Sequence, residues 1–138
     1  MSASPIVVTD DDVGDLELIR EAFSKINTEH EMISFDDGDK FFDYMKSTKE
    51  KPFVVLCDMN MGKTDRLSLK KKISEDVQLR IKCIPFLVFS TSKAAKSIYE
   101  AYSHNVQGYF IKPANLAMMK EMFQSIINYW NFSEHPVA

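Results

Sequence analysis

"VVLCDMN", residues 54–60, decides how this chain is read. Val54, Val55, Leu56 and Cys57 form a continuous apolar run, and Asp58 follows with no polar residue between. A short run of this kind predicts a strand buried on both faces, with Asp58 at its exit. Aspartate is common where strands give way to turns. The residue therefore gains meaning only from what else arrives at the same place.

Working outward, the strand "FVVLC" (53–57) has four counterparts: "PIVVT" (5–9), "EMISF" (31–35), "IPFLVF" (84–89) and "VQGYFI" (106–111). Segments of helical period separate them. Leu16, Ile19, Phe23 and Ile26 share one face, as do Phe41, Phe42 and Met45. Leu69, Ile73 and Val77 are spaced by four, and Ile98, Ala101 and Tyr102 follow the same rule. Leu116, Met119, Phe123, Ile126, Ile127 and Trp130 make the longest stripe. Five β-α repeats with nearly continuous apolar strands predict an α/β fold. The specific expectation is a flavodoxin-like, doubly wound (βα)5 sandwich with parallel sheet order 2-1-3-4-5, in which ligands bind outside the carboxyl ends of the strands.

Composition is consistent with that size of fold. The chain has 138 residues, 45% of them hydrophobic, and a formal charge of −3. One domain over residues 1–138 is expected, and the charge balance gives no footing for nucleic acid. Cys57 and Cys83 lie in apolar segments without metal-ligand spacing and read as buried, reduced thiols, so a cytoplasmic address is expected. No apolar stretch approaches membrane-spanning length, and "MSASPIVV" lacks the parts of a signal peptide. The last helical stripe leaves only "NFSEHPVA" as a tail, so no output domain is expected to follow.

The strand ends carry the chemistry. Strand one ends in "TDDDVGD", which puts Asp10 and Asp11 just beyond Thr9. Strand three ends in Asp58, strand four in Ser90 and Thr91, and strand five in Lys112-Pro113. In the order 2-1-3-4-5 these ends are neighbours, so three carboxylates, a hydroxyl and an ammonium converge on one rim. Crowded carboxylates repel, and a divalent cation relieves them. Oxygen ligands without nearby histidine or thiolate favour Mg²⁺, which keeps room for a phosphate oxygen. With Lys112 and the metal drawing charge from a phosphoryl group, Asp58 is placed to act as a nucleophile and Ser90 to donate a hydrogen bond to the new phosphoryl oxygens.

At these residues the sequence resembles the receiver domains of two-component response regulators. The motifs are the acidic pair at 10–11, "LCDMNM" (56–61), "FSTS" (89–92) and "GYFIKP" (108–113), in the family's order and spacing. The resemblance implies that Asp58 is the phosphoacceptor and that Asp10, Asp11, Asp58 and the backbone carbonyl of Asn60 hold Mg²⁺. It implies Ser90 and Tyr109 as the switch pair, Lys112 as the family's lysine, and a cis Lys112–Pro113 bond. It also implies a signalling role rather than an enzymatic one. The chain looks like the single-domain regulators typified by the chemotaxis regulator, and residues 89–113 are similar to those paired with phytochrome kinases. The partners so implied are a sensor histidine kinase or histidine phosphotransfer protein, the phytochrome type among them, and a downstream protein target. A homodimer through the fourth helical segment, the fifth strand and the fifth helical segment is a further implication, with Lys93, Lys96, Tyr99, Tyr109 and Lys120 as contacts.

Gly62 stands where the family usually has proline, and Arg66 where it usually has glycine, both in the loop after strand three. That departure keeps open a phosphorylation-independent interaction module on the same fold. An aspartate-nucleophile phosphohydrolase fits less well, because position 60 is Asn rather than a second aspartate. Flavin binding is disfavoured by an acidic rim that would repel the cofactor's phosphate.

Overall fold

Successive side chains of a strand point to opposite faces, so a strand covered on both sides must be apolar at every position. The computed structural model describes residues 3–58 and 66–136, the side chains of residues 66–68 excepted. Its strands are β1 (Ile6–Thr9), β2 (Met32–Phe35), β3 (Val54–Asp58), β4 (Phe86–Ser90) and β5 (Gly108–Ile111). Its helices are α1 (Val13–Ser24), α2 (Gly38–Ser47), α3 (Arg66–Glu75), α4 (Val77–Lys82), α5 (Ala95–Ser103) and α6 (Leu116–Phe132). Every residue of β1, β3 and β4 is buried. The sheet is parallel throughout, in the order β2-β1-β3-β4-β5, which is the expected flavodoxin-like arrangement.

Strand alternation divides the core into two layers. Ile6, Val8, Val54, Leu56, Leu87 and Phe89 face α1 and α6, where they meet Leu16, Ile19, Phe123 and Ile126. Val7, Val55, Cys57, Phe86 and Val88 face the other helices and meet Phe41, Met45, Leu69, Ile73 and Ala101. Burying each large apolar side chain contributes about 1.5–3 kcal/mol, so the two layers fix strand register as well as order. That register sets Thr9 beside Cys57, Asp58 beside Phe89 and Ser90 beside Ile111. The exits of β1, β3, β4 and β5 are thereby brought level at one rim.

The structure corrects one helical stripe. Leu69 and Ile73 are buried, but Val77 is 63% exposed and opens a separate helix, α4. The physical reason is Asp76, whose carboxylate accepts from the N–H groups of Gln78 and Leu79 at 3.0 and 3.1 Å. An aspartate satisfying those free donors starts a helix rather than continuing one. Buried Leu79, not Val77, is the side chain by which α4 joins the core. Among the described residues, no helix is long and apolar enough to cross a membrane.

Candidate functional site

The run "TDDDVGD" is divided by local hydrogen bonding into four different jobs. The Asp10 N–H donates to Phe35 O at 3.0 Å, which continues the β1–β2 ladder one residue past the strand and leaves the side chain fully buried. Its Oδ1 accepts from the Asp12 N–H at 2.9 Å. Asp12 is the N-cap of α1 and accepts from the Asp15 N–H at 2.9 Å. Asp15 occupies the first turn of α1, and Asp11 is half-buried at the rim. Asp58 and Ser90 end their strands at 2% and 1% exposure.

Lys112 draws these elements together. Its N–H donates to Ser90 O at 2.7 Å, which holds the chain beside β4 as it leaves β5. Its Nζ lies 2.7 Å from Asp15 Oδ2, 3.1 Å from Asp10 Oδ2 and 3.2 Å from Asp58 Oδ2. The Nζ also sits 4.9 Å from the centroid of the Phe89 ring. Burial alone would lower the Lys112 pKa, but the hydrogen bond to Asp15 and the charges of Asp58 and Asp10 overcome it and drive it upward. Asp10 moves the opposite way from an ordinary ion-paired carboxylate. Burial pushes it up to about 7, aided by neighbouring Asp58 and opposed by the Asp12 N–H and Lys112.

Asp10, Asp11 and Asp58 each offer one carboxylate oxygen, all within 4.8 Å of one another, and form a possible metal site. Asp10 Oδ2 is buried and makes no hydrogen bond, its polar contact being the Lys112 ion pair. An all-oxygen donor set that includes a buried oxygen without a hydrogen bond suits a hard divalent cation such as Mg²⁺.

The sequence-derived candidates Asp10, Asp11, Asp58, Ser90 and Lys112 are thus brought to one rim. Asn60, Gly62 and the loop they belong to lie outside the described residues, and Arg66 opens α3. Tyr109 stands apart from the carboxylates, half-buried, with its hydroxyl donating to Ser92 O at 2.8 Å. Ser90 Oγ accepts from the Ser92 N–H at 3.0 Å. Ser92 therefore links the two, a role the sequence reading missed. It also missed Asp15, although an Asp followed three residues later by another acid is a helix-start signal that marks both Asp12 and Asp15.

One expectation is corrected. Among the described residues the cis peptide bond is Ile84–Pro85, not Lys112–Pro113. Any X–Pro bond lies within about 1 kcal/mol of either isomer, so tertiary surroundings rather than the Lys-Pro pair decide it.

Asp10 carries a pH prediction. Its carboxyl is unshifted at 3.8 in the unfolded chain and about 7 when folded, so the folded state holds the extra proton between those values. Metal-free stability from this group is greatest below pH about 4 and is lost as pH rises through about 7. The loss is on the order of a few kcal/mol. Urea unfolding in EDTA at pH 5 and pH 8 should show this decline in wild type and a flatter profile in Asp10→Asn. Identical profiles would exclude Asp10 as the titrating group.

Fold and rim together define a doubly wound α/β protein with an acidic pocket bridged by a lysine at the carboxyl end of its sheet. The chain belongs to the response regulator receiver domain family, which matches residues 6–124. It is 28% identical over 129 residues to the probable methanogenesis regulatory protein FilR2 of Methanothrix harundinacea, covering 91% of this chain and 82% of that protein. Among solved structures it is similar to response regulator RPA3017 in red light signalling of R. palustris, at 28% identity and a TM-score of 0.86, covering 97% and 99% of the two chains. The phosphorylated cyanobacterial phytochrome response regulator RcpA is 26% identical with a TM-score of 0.83, covering 98% of this chain and 99% of that one. As receivers, such chains are signalling domains of two-component systems.

Proposed function

We propose that this chain is a phosphoacceptor in a two-component phosphorelay, with Asp58 taking a phosphoryl group from a sensor histidine kinase or histidine phosphotransfer protein. The observation that carries this reading is the Lys112 ammonium, 3.2 Å from Asp58 and 3.1 Å from Asp10 at a buried strand end. Asp58 supplies the attacking oxygen. The new O–P bond forms as the P–N bond to the donor histidine breaks, and the bonding pair leaves with the imidazole. Lys112 stays protonated throughout and offsets charge on the transferring oxygens. Asp10, Asp11 and Asp58, with the backbone carbonyl of Asn60, would hold Mg²⁺. When bound, that ion supplies a Lewis acid that screens the carboxylates and polarises the phosphoryl group.

Ser90 donates to the phosphoryl oxygens, and in doing so its Oγ exchanges the Ser92 N–H for a new partner. Because the Tyr109 hydroxyl donates to the carbonyl of the same residue, Ser92, the two side chains respond together. That shift biases a two-state surface formed by α5, β5 and α6, where Lys93, Lys96, Tyr99 and Lys120 offer contacts to a downstream protein target. A phytochrome-type kinase as the source is supported by the likeness to RcpA and RPA3017. The setting is cytoplasmic, with no nucleic-acid or membrane partner.

The reading is tested by intact-mass measurement after incubation with Mg²⁺ and acetyl phosphate or phosphoramidate, where one phosphoryl adduct is expected on Asp58. An unlabelled wild type with both donors would leave a phosphorylation-independent interaction module. For the switch, Ser90→Ala should still be labelled while its beryllofluoride-induced chemical-shift changes over residues 93–127 shrink. Equally large changes in both proteins would break the Ser90–Tyr109 link.

A further inference from the structure

The helical layer that carries α2, α3 and α4 holds a positive face on an acidic chain. Residues 69–82, "LKKKISEDVQLRIK", contain five basic and two acidic side chains, a net +3, so the other residues sum to −6 in a chain of −3. One of the two acids, Asp76, is engaged in capping α4. Lys71, Lys72 and Arg80 are exposed, and so is Val77, at 63%.

These cations rest on rings and carbonyls. Lys72 Nζ lies 4.4 Å from the centroid of the half-buried Phe42 ring, and Lys46 Nζ of α2 lies 5.6 Å from the same ring. Lys70 is 3% exposed, and its Nζ donates to Ser74 Oγ at 3.2 Å and sits 5.3 Å from the Phe86 centroid. Burial lowers the Lys70 pKa, and the Arg80 charge adds to that effect. Lys82 Nζ donates to Met45 O and Thr48 O at 3.0 and 2.7 Å, which ties α4 to the end of α2. Among the described residues, the lysines in ion pairs are Lys40 and Lys112, neither of them in this group. A ring face or a carbonyl holds an ammonium without cancelling its charge, so the positive field of the face persists.

We infer that α3 and α4, with Phe42 and Lys46 of α2, form a docking face for a short acidic segment of a partner protein. Size and surroundings select that occupant. The ten residues of α3 span about 15 Å, so a nucleic-acid duplex or an anionic bilayer would run past the face and meet the acidic remainder, whose net −6 opposes it. A short acidic segment meets the positive face alone, and the opposed charge of the two sides of the molecule orients its approach. Its carboxylates pair with Lys71, Lys72 and Arg80, and an apolar residue within it covers Val77. The face shares no residue with the α5, β5 and α6 surface and needs no phosphoryl group. Failure of Asp58 labelling would leave it untouched.

The test is fluorescence anisotropy of a dye-labelled peptide rich in Glu and Leu, titrated with the full chain at about 0.15 M salt, where long-range attraction is screened beyond about 8 Å. The peptide should bind, and Lys72→Glu and Arg80→Glu should each weaken it at least tenfold. Lys25→Glu, an exposed site at the end of α1, makes the same change in net charge and should alter affinity less than twofold. All three side chains are exposed, so thermal unfolding reports whether each variant keeps its fold. Equal weakening by Lys25→Glu would reveal a general charge effect and overturn the face, as would the absence of peptide binding by wild type. Tighter binding of a short DNA duplex or of phosphatidylserine vesicles at the same salt would overturn the choice of occupant. Self-association of the chain alone that Lys72→Glu abolishes would do so too, by putting a second copy on the face.

Discussion

Asp58→Asn is expected to lose Mg²⁺-dependent phosphoryl labelling completely while keeping its fold. The carboxylate is the nucleophile, and an amide oxygen whose lone pair is shared with nitrogen does not replace it. Loss of the reaction, rather than a slower rate, follows because no neighbour can stand in. Asp10 is fully buried and already held by the Asp12 N–H and by Lys112. The fold should survive because the substitution is nearly isosteric and removes one of three carboxylates around a single buried ammonium. Intact mass and circular dichroism on the same sample separate the two effects. The wild-type adduct should be stable in acid and labile in base, as an acyl phosphate is. Labelling of Asp58→Asn at the wild-type rate would move the acceptor elsewhere.

Lys112→Met should produce the largest stability change of any substitution at the rim. Removing the ammonium takes from Asp10 and Asp58, 0% and 2% exposed, the positive charge that lies 3.1 and 3.2 Å from them. Breaking a buried ion pair from one side typically costs about 3–5 kcal/mol, because the remaining charge keeps its desolvation penalty. The cost should be largest at pH 8 in metal-free buffer. At pH 5 Asp10 is protonated and less charge is stranded, so the penalty should shrink. Mg²⁺ should restore part of the loss by binding only the folded state, whereas labelling should stay far below wild type because the phosphoryl oxygens lack the lysine. Urea midpoints at the two pH values, with and without Mg²⁺, give all four comparisons. A midpoint equal to wild type at pH 8 without metal would show that the three contacts contribute nothing net.

Much of this protein is legible in its sequence because its signals are local. Val54 to Cys57 read as a doubly buried strand, and each of the four residues is buried in the sheet. The β-α alternation implied sheet order because parallel strands need crossovers and crossovers have one hand. The same order placed Asp10, Asp58, Ser90 and Lys112 at a common rim before any distance was known. Where periodicity misled, a single competing side chain explains it. Val77 continues the spacing of Leu69 and Ile73, but capping by Asp76 outweighs a side chain that has little to bury against.

What the sequence determined by itself, then, is the strand and helix pattern, the sheet order and the chemical inventory of the strand ends, all of which rest on periodicity and backbone geometry over a few residues. What only the tertiary structure decided is how that inventory pairs. Asp15 reaches Lys112 across 97 residues of chain at 2.7 Å. Asp10 becomes the carboxyl that holds its proton to about 7 because it is the one buried deepest beside Asp58. Ser92 comes to join Ser90 to Tyr109 only where β4 and β5 lie side by side. Coulomb energies and desolvation change steeply over a few ångströms. No pattern along the chain specifies separations that fine, because they are set by how elements distant in sequence pack.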